Sequence, residues 1–540
     1  MDADVAARVR VWIEDDPDPV ARAELRELLD RGDEAELRDR FAGRLTFGTA
    51  GLRGRLRAGP NGMNRAVVRR AAAGLAAYLG AGRTVAIGYD ARHGSRDFAA
   101  DSAAVLAGAG LRARLLPRAL PTPVLAFAVR HLEADAGIMV TASHNPPHDN
   151  GYKVYLGGPG NAGAQIVPPA DSEIEARIGA VERVSDLPLA DPGSPLDEEI
   201  VDAYVTAAAE LSLVEDRDVR IAYTPLHGVG LETLSAVFAR AGVPAPALEP
   251  AQAQPDPDFS TVSFPNPEEP GTMDRVLALG RESGADVVIA NDPDADRCAV
   301  AFGGRLLRGD ELGVLLADHV LTHRPGPVAT TIVSSTMLSR IAAAHGVPYT
   351  ETLTGFKWIM RAGPDLAFGY EEALGYAVGP NVVRDKDGIS AALSVAEITA
   401  RLKARGRTPL DRLEELAREH GIHATDQYAV RVENLGDIRA AMDRLRARPP
   451  AALARQPVLE VRDLLADPGD LPAADVLVLN FDGARVVLRP SGTEPKLKAY
   501  LEVVVPVAGD LAAARGRADV ALRELRTATA EAIGLPVAAA

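Results

Sequence analysis

Ala136-Gly137-Ile138-Met139-Val140-Thr141-Ala142-Ser143-His144-Asn145-Pro146 starts apolar and ends polar. Its first five residues form the short apolar run of a buried strand. Pro146-Pro147 then bars both a helix and a central strand. A strand therefore hands a serine, with His144 beside it, to a loop at its carboxyl end. Asn150-Gly151 reads as a turn before Lys153. A lone Ser-His pair in such a loop is ordinary, and a serine hydroxyl is a poor nucleophile without a base or a cation. The surrounding chain decides what this one means.

Strand and helix signals alternate on the upstream side. Arg65 to Leu79 reads as a helix, Thr84 to Gly88 as a strand ending in Tyr89-Asp90-Ala91-Arg92, Asp97 to Ala109 as a helix and Arg112 to Leu116 as a strand. Pro121-Thr122-Pro123 opens another helix. This alternation argues for an α/β fold with a mostly parallel, doubly wound sheet. Ligands gather at the carboxyl ends of strands in such sheets, which is where Ser143 stands. Residues 1–42 look helical, with a break at Asp16-Pro17-Asp18-Pro19. Next comes a loop, Phe47-Gly48-Thr49-Ala50-Gly51-Leu52-Arg53-Gly54, whose glycines let backbone approach a ligand. Arg53 adds a fork of donors suited to phosphate. Gly108-Ala109-Gly110-Leu111-Arg112-Ala113 has the letters of a dinucleotide fingerprint, but it follows a helix and precedes a strand, the wrong context.

Composition narrows the class. Apolar residues make up 47% of the 540 and charged residues 25%, as in a soluble globular protein. The net charge of −16 argues against a nucleic-acid or anionic-membrane partner. An anionic substrate must then be held by a few local cations. The single cysteine, Cys298, excludes a disulfide framework and a cysteine metal site. Met1-Asp2-Ala3-Asp4 lacks a signal-peptide pattern, and a cytoplasmic enzyme is expected.

Downstream, Pro192 to Pro195 looks like a boundary, followed by a helix to about Leu211 and a strand at Val219 to Tyr223. Asn291-Asp292-Pro293-Asp294-Ala295-Asp296-Arg297 then lies between two apolar strands, Ala285 to Ala290 and Cys298 to Phe302. Three aspartates at alternate positions can offer hard oxygen ligands to one divalent cation, and Mg²⁺ fits when a phosphate oxygen supplies another. An EF-hand loop is excluded, because Arg297 and Gly303 stand where it needs Gly and Glu. A solvated acidic turn is the other reading. Further on come Thr354-Gly355-Phe356-Lys357, then Glu371-Glu372-Ala373-Leu374-Gly375. Paired glutamates after a strand can accept from neighbouring sugar hydroxyls, or can sit at a solvated helix start. Arg384-Asp385-Lys386-Asp387-Gly388 precedes an apolar helix. Asp475 to Phe481 and Arg485 to Leu488 read as a hairpin with Asp482-Gly483 at the turn. Arg489-Pro490-Ser491-Gly492-Thr493 follows, with an arginine, two hydroxyls and backbone N–H groups that can cradle a phosphate.

Taken together, the chain resembles the α-D-phosphohexomutases, the phosphoglucomutase/phosphomannomutase family. The likeness rests on four motifs in the family's order: the serine loop 141–146, the metal loop 292–297, the sugar loop 371–375 and the phosphate loop 489–493. It implies four domains around a central cleft, three similar doubly wound α/β domains and a smaller C-terminal sheet-and-helix domain. The expected segments are 1–205, 206–306, 307–422 and 423–540.

The resemblance implies that a phosphorylated Ser143 donates to a sugar phosphate and forms a bisphosphorylated sugar. That intermediate turns around and returns its other phosphate. Asp292, Asp294, Asp296 and Ser143 would hold Mg²⁺, with Arg53 and Arg297 adding positive charge. His144, Lys153 and Lys357 match family positions near the reacting oxygens, and a lysine needs a depressed pKa to act as a base. Gly355, Glu371, Glu372, Arg384, Lys386, Arg489, Ser491, Gly492 and Thr493 would bind substrate. Glucose 1,6-bisphosphate or a related sugar would serve as activator. Hexose 1-phosphate to 6-phosphate interconversion, on glucose or mannose, is the expected reaction. Many hexose members have serine where Ala373 stands, and Glu-Glu-Ala-Leu-Gly-Tyr resembles the subgroup that includes phosphopentomutases. Pentose phosphate, release of glucose 1,6-bisphosphate and non-catalytic sugar-phosphate binding are the alternatives.

Overall fold

The computed structural model describes residues 2–48, 51–432, 434–491 and 496–535. They form two compact units. One runs to Leu307 and takes back Gly375–Ala404; the other joins Arg308–Leu374 to the chain from Arg405 onward.

The first unit opens with helices Ala3–Asp15, Pro19–Arg31 and Glu34–Arg40. The expected break is made by Asp18, which caps the second helix by accepting from Val20 N, with Pro19 in the first turn. A second break, at Gly32 (φ 68°) and Asp33, was not read from the sequence. Val9, Leu25, Leu28, Leu37 and Phe41 close a small core between these helices.

The serine strand Ala136–Val140 is fully buried and pairs in parallel with Thr84–Tyr89, which pairs in parallel with Arg112–Leu115. On its other side the sheet turns antiparallel through Asp149–Leu156 and then Leu52–Arg55. Two expectations are corrected here. Asn150-Gly151 lies inside the strand Asp149–Leu156 and makes no turn. Gly151 is there because a Cβ would meet Thr141 O at 2.5 Å and Leu52 O at 2.9 Å. Likewise the close approach that Gly51 (φ 79°) permits is to protein, since its Cβ would meet Tyr152 O at 1.8 Å. Lys153 and Arg53 are therefore strand residues with fixed directions.

A second sheet in this unit has the order Arg305–Leu306, Cys298–Phe302, Val287–Asn291, Ile221–Thr224, Ala247–Leu248. Val287–Asn291 runs parallel to Ile221–Thr224 and antiparallel to Cys298–Phe302. The metal loop is the link between those antiparallel neighbours. The apolar helix Gly388–Lys403 packs on both of them.

The second unit contains parallel strands Tyr349–Thr352, Val328–Thr331 and Phe368–Glu371, in that spatial order. Its C-terminal part is an antiparallel sheet ordered Ile422–Arg431, Lys496–Val505, Ala484–Pro490, Leu477–Phe481, Glu460–Asp463. The expected hairpin is present, with Gly483 at φ 70°. Helices Leu435–Ala447 and Leu511–Ile533 supply Met442, Leu445, Leu522 and Leu525 to the core beneath that sheet.

Candidate active site

Ser143 is buried with φ of 53°, a left-handed conformation that a serine holds only when its surroundings fix it. The fixing contacts are on its own backbone. Its N–H donates to Thr141 Oγ1 (2.8 Å), and its carbonyl accepts from Arg92 Nη2 (2.6 Å). Arg92 also donates to the carbonyls of Asn145 (2.6 Å), Pro146 (2.8 Å) and Asp149 (3.2 Å). One buried guanidinium thus gathers three carbonyls of the serine loop and that of Asp149, the first residue of the next strand. Asp90 lies 3.4 Å from Arg92 Nε, and the Phe259 ring lies 4.8 Å beneath the guanidinium.

With the backbone so held, Ser143 Oγ donates to Asp292 Oδ2 (2.9 Å) and accepts from Arg297 Nη1. The three aspartates are fully buried, and one carboxylate oxygen from each lies within 4.8 Å of the others. This rules out the solvated acidic turn. Thr122 Oγ1 (2.6 Å) and Lys153 Nζ (2.7 Å) donate to Asp294 Oδ2. Lys153 also reaches Asp296 Oδ2 (2.8 Å), and Lys386 Nζ stands 3.4 Å from the same oxygen. Asp294 Oδ1 is buried with no hydrogen-bond partner. A buried, hard, unpartnered carboxylate oxygen beside two more carboxylates and a serine hydroxyl fits a Mg²⁺ site.

The electrostatics follow from burial and crowding. Asp292 is pushed up, to about 7, by desolvation and then by the charges of Asp294 and Asp296. Burial opposes the charge on Asp294, but Lys153 and Thr122 hold its carboxyl low. Burial equally opposes the charge on Lys153, but Asp294 and Asp296 overcome it and raise its pKa. His144 is pushed well below its ordinary value by desolvation and by Arg297 and Arg53, so its ring is neutral, with a buried Nδ1 lacking a partner. Arg53 donates to Asn145 Oδ1 (3.0 Å) on the serine loop. Arg384 is half-buried; burial and then Arg130 lower its pKa.

The remaining expected site residues lie in the second unit. Gly355, at φ 113°, precedes the short helix Phe356–Ile359, where Lys357 is buried with Nζ 5.6 Å from the Trp358 ring centre. Glu371 ends the strand Phe368–Glu371 and is only 8% exposed, so the glutamate pair is no solvated helix start. Glu372 Oε2 accepts from Ser334 Oγ (3.0 Å) and Thr331 Oγ1 (3.2 Å). Desolvation, then Asp310, raises its pKa. Arg489 faces both the Glu372 carboxylate and the Tyr500 hydroxyl within this unit. Ser491 N donates to Lys496 O (2.8 Å). Gly492 and Thr493 lie outside the described residues.

Sequence reading missed Arg92 and Thr122 as site residues. Arg92 had one signal, the Tyr89-Asp90-Ala91-Arg92 end of a strand adjacent to the serine strand. Thr122 had none beyond opening a helix.

A buried serine among carboxylates and guanidinium groups suits phosphoryl transfer. Comparison with known proteins makes the class specific. Family models for phosphoglucomutase/phosphomannomutase α/β/α domains I, II and III match residues 44–184, 202–304 and 308–420, and the C-terminal domain model matches 429–514. A Haemophilus influenzae protein named "Probable phosphomannomutase" is 46% identical over 455 residues, 82% of this chain and 93% of that protein. A Schizosaccharomyces pombe protein named "Probable phosphoribomutase" is 34% identical over 556 residues, 93% and 94% of the two chains. A crystal structure of a phosphomannomutase-family protein from Thermus thermophilus superposes with a TM-score of 0.72 at 26% identity, covering 91% of this chain and all of that one. The chain belongs to the phosphoglucomutase/phosphomannomutase family and is a phospho-sugar mutase, an isomerase that acts by phosphoryl transfer.

Proposed function

We propose that Ser143 is the phosphoryl carrier of a hexose-phosphate mutase. The supporting observation is that Ser143 Oγ bonds to Asp292 Oδ2 and Arg297 Nη1, and that Asp292 clusters with Asp294 and Asp296, whose buried carboxylates include the unpartnered Asp294 Oδ1. Positions 1 and 6 of a hexose are too far apart for direct transfer, so a carrier must hold the group between the two hydroxyls. In the forward half-reaction the Ser143 Oγ–phosphorus bond breaks and a bond from the sugar hydroxyl oxygen to phosphorus forms. The hydroxyl proton passes to a base, and the serine oxygen leaves as the receiving end of the reverse step. Catalysis here is positioning plus neutralisation of charge. Asp292, Asp294 and Asp296 would hold Mg²⁺. The cation would neutralise charge on the phosphoryl oxygens.

The protein's own residues do the rest. Arg92 fixes the backbone that presents Oγ, and Arg297 and Arg53 offer positive charge at the serine loop. Lys153 keeps two of the crowded aspartates ionised. His144, Lys153 and Lys357 are the candidate proton acceptors. Glu371, Glu372 and Arg489 would take the sugar hydroxyls and the phosphate that is not transferred. Arg384, Lys386, Gly355 and the segment 491–493 complete the substrate set. No helix among the described residues is long and apolar enough to cross a membrane, and a cytoplasmic location belongs to the same reading.

The reading is tested on dephosphorylated enzyme. It should be inactive on glucose 1-phosphate alone and regain turnover when glucose 1,6-bisphosphate is added, whereas Ser143→Ala should bind sugar phosphate and stay inactive in both conditions. Activity of dephosphorylated enzyme without activator, or of Ser143→Ala, would overturn it. Ala373 favours a second reading, a pentose 1-phosphate substrate. Coupled assays on glucose, mannose, glucosamine and pentose 1-phosphates decide between them, and a pentose kcat/KM above those of glucose and mannose would reverse the hexose assignment.

A further inference from the structure

The metal loop is short, and it contains a non-glycine residue in the left-handed region, Ala295 at φ 52°. Within the loop, Asp292 Oδ1 accepts from Arg297 N (3.0 Å). Ala295 N also donates to Asp292 O (2.8 Å), and Thr122 N donates to Asp294 O (2.9 Å) from outside; two further backbones pack directly against the loop. On one flank Gly228 packs face to face with Pro293. A Cβ on Gly228 would lie 2.3 Å from both Cα and O of Pro293, closer than real Cβ atoms approach anything. The next residue, Val229, donates its N–H to Pro293 O at 2.9 Å. On the other flank Gly388 meets the far end of the loop. Its Cβ would lie 2.2 Å from Arg297 O, and its N–H donates to Ala295 O at 3.2 Å.

Both flanks are themselves anchored. Leu226 and His227 have φ of 47° and 60°, a strained pair that needs external support. His227 provides it: its N–H donates to Gln252 O (3.0 Å), its carbonyl accepts from Asp256 N (3.0 Å), and its Nε2 meets Thr261 Oγ1 (2.8 Å). Opposite, Asp387 caps the helix that begins at Gly388 by accepting from Ile389 N and Ser390 N, and it also accepts from the Tyr204 hydroxyl (2.9 Å). Asn291 Nδ2 donates to Arg297 O (2.6 Å) from the strand below.

We propose that Gly228 and Gly388 are positioning residues for the cation site, a clamp that sets how far the three aspartates stand from one another and from Ser143 Oγ. Pro293 separates Asp292 from Asp294, and Arg297 follows Asp296, so the clamp grips the loop between the first two aspartates and just past the third. A methyl group at either glycine forces the gap open by about 1 Å to restore ordinary contact, a displacement that matters in a site built on positioning. The absence of a side chain is the functional feature, and neither glycine touches the reacting atoms.

This inference rests on the reading of the triad as a divalent-cation site, and the experiment separates the two. Mn²⁺ binding is titrated by electron paramagnetic resonance on the wild type, Gly228→Ala, Gly388→Ala and a control, Gly242→Ala. Gly242 (φ 73°) ends the helix Gly230–Ala241 and its added Cβ would meet only Arg217 Nε at 4.0 Å, so that substitution strains the backbone without touching the metal loop. The Mn²⁺ dissociation constant should rise about tenfold or more in the two clamp variants and stay within about twofold in the control. Equal affinity in all four would overturn the clamp alone, and a wild type that binds no Mn²⁺ would overturn the cation site and the clamp together. If a clamp variant does not fold, the wild type decides. Exchange of the Val229 amide, which is bonded to Pro293 O, should slow when Mn²⁺ saturates the site, and unchanged exchange would refute the clamp.

Discussion

Replacing Arg92 by alanine should do two things, both set by where its nitrogens are. Nη1 and Nη2 carry contacts to four carbonyls at 2.6 to 3.2 Å, and Nε faces Asp90 at 3.4 Å. Arg92 and Asp90 are 4% and 2% exposed, so water does not replace those contacts readily. Truncation leaves a buried carboxylate without its countercharge and several loop carbonyls without donors. Breaking a buried pair costs about 3–5 kcal/mol. The alternative is that Asp90, whose pKa is already raised by burial, takes a proton and reduces the loss. Arg92→Ala should therefore destabilise the first unit by about 3–5 kcal/mol at neutral pH, and by less at pH 5, where protonation of Asp90 is easier. Arg92→Lys should lie between, since one ammonium has three donors and no planar fork. Urea unfolding followed by near-ultraviolet circular dichroism reads the stability, and hydrogen exchange over residues 141–150 reads the loop. The second effect is on Ser143, whose left-handed backbone should relax, with kcat down about a hundredfold. A loss below about 1 kcal/mol with unchanged loop protection would refute the claim that this guanidinium organises the serine loop.

Asp294→Asn should abolish most activity, by about a hundredfold or more, and weaken Mn²⁺ binding, because it removes charge at the carboxylate whose Oδ1 lacks a partner; full activity in chelator-treated, metal-free enzyme would contradict this. Arg489→Ala should raise KM by about one to two decades, the worth of one charge-assisted contact of about 1.5–3 kcal/mol, with a smaller effect on kcat at saturation. A normal KM with a collapsed kcat would instead put the phosphate loop at the reacting centre. Asp310 is raised from 3.8 to about 6, first by burial, against the lowering effect of its hydrogen bond from Ser335 N and with Glu502 adding to the rise. A raised carboxyl favours the folded state fully below its unfolded value and loses that contribution as pH climbs through the folded value. The stability of Asp310→Asn relative to wild type should accordingly improve by about 2 kcal/mol between pH 4 and pH 7.5, and a pH-independent difference would show that Asp310 is not desolvated.

Much of the site was legible because its chemistry is packed into short windows. Asp292, Asp294 and Asp296 alternate within one loop, and Ser143 follows an unmistakable apolar strand. What the sequence hid acts across long separations. Arg92 reaches Ser143 from 51 residues away, and Thr122 reaches Asp294 from 172. Neither carries a local pattern. Asn150-Gly151 misled because the pair is the usual letter code of a turn, whereas here glycine answers the close passage of Thr141 and Leu52 backbones. Gly228 and Gly388 are invisible for the same reason, since a glycine that meets another backbone looks like any other. The helix Gly388–Lys403 is apolar nearly all round, so its composition says that it is buried without saying against which sheet. The pairing of Lys153 with Asp294 and Asp296 likewise spans more than 140 residues and has no local signal.

The most direct measurement follows the phosphate itself. Enzyme phosphorylated with radiolabelled phosphate, the label mapped to Ser143, is mixed with a stoichiometric amount of unlabelled glucose 1-phosphate and Mg²⁺, then quenched within one turnover. The label should leave Ser143 and appear in sugar bisphosphate and then in sugar monophosphate at the rate of catalysis. Label that stays on Ser143 while product forms, or label that never occupies Ser143 in active enzyme, would contradict the account.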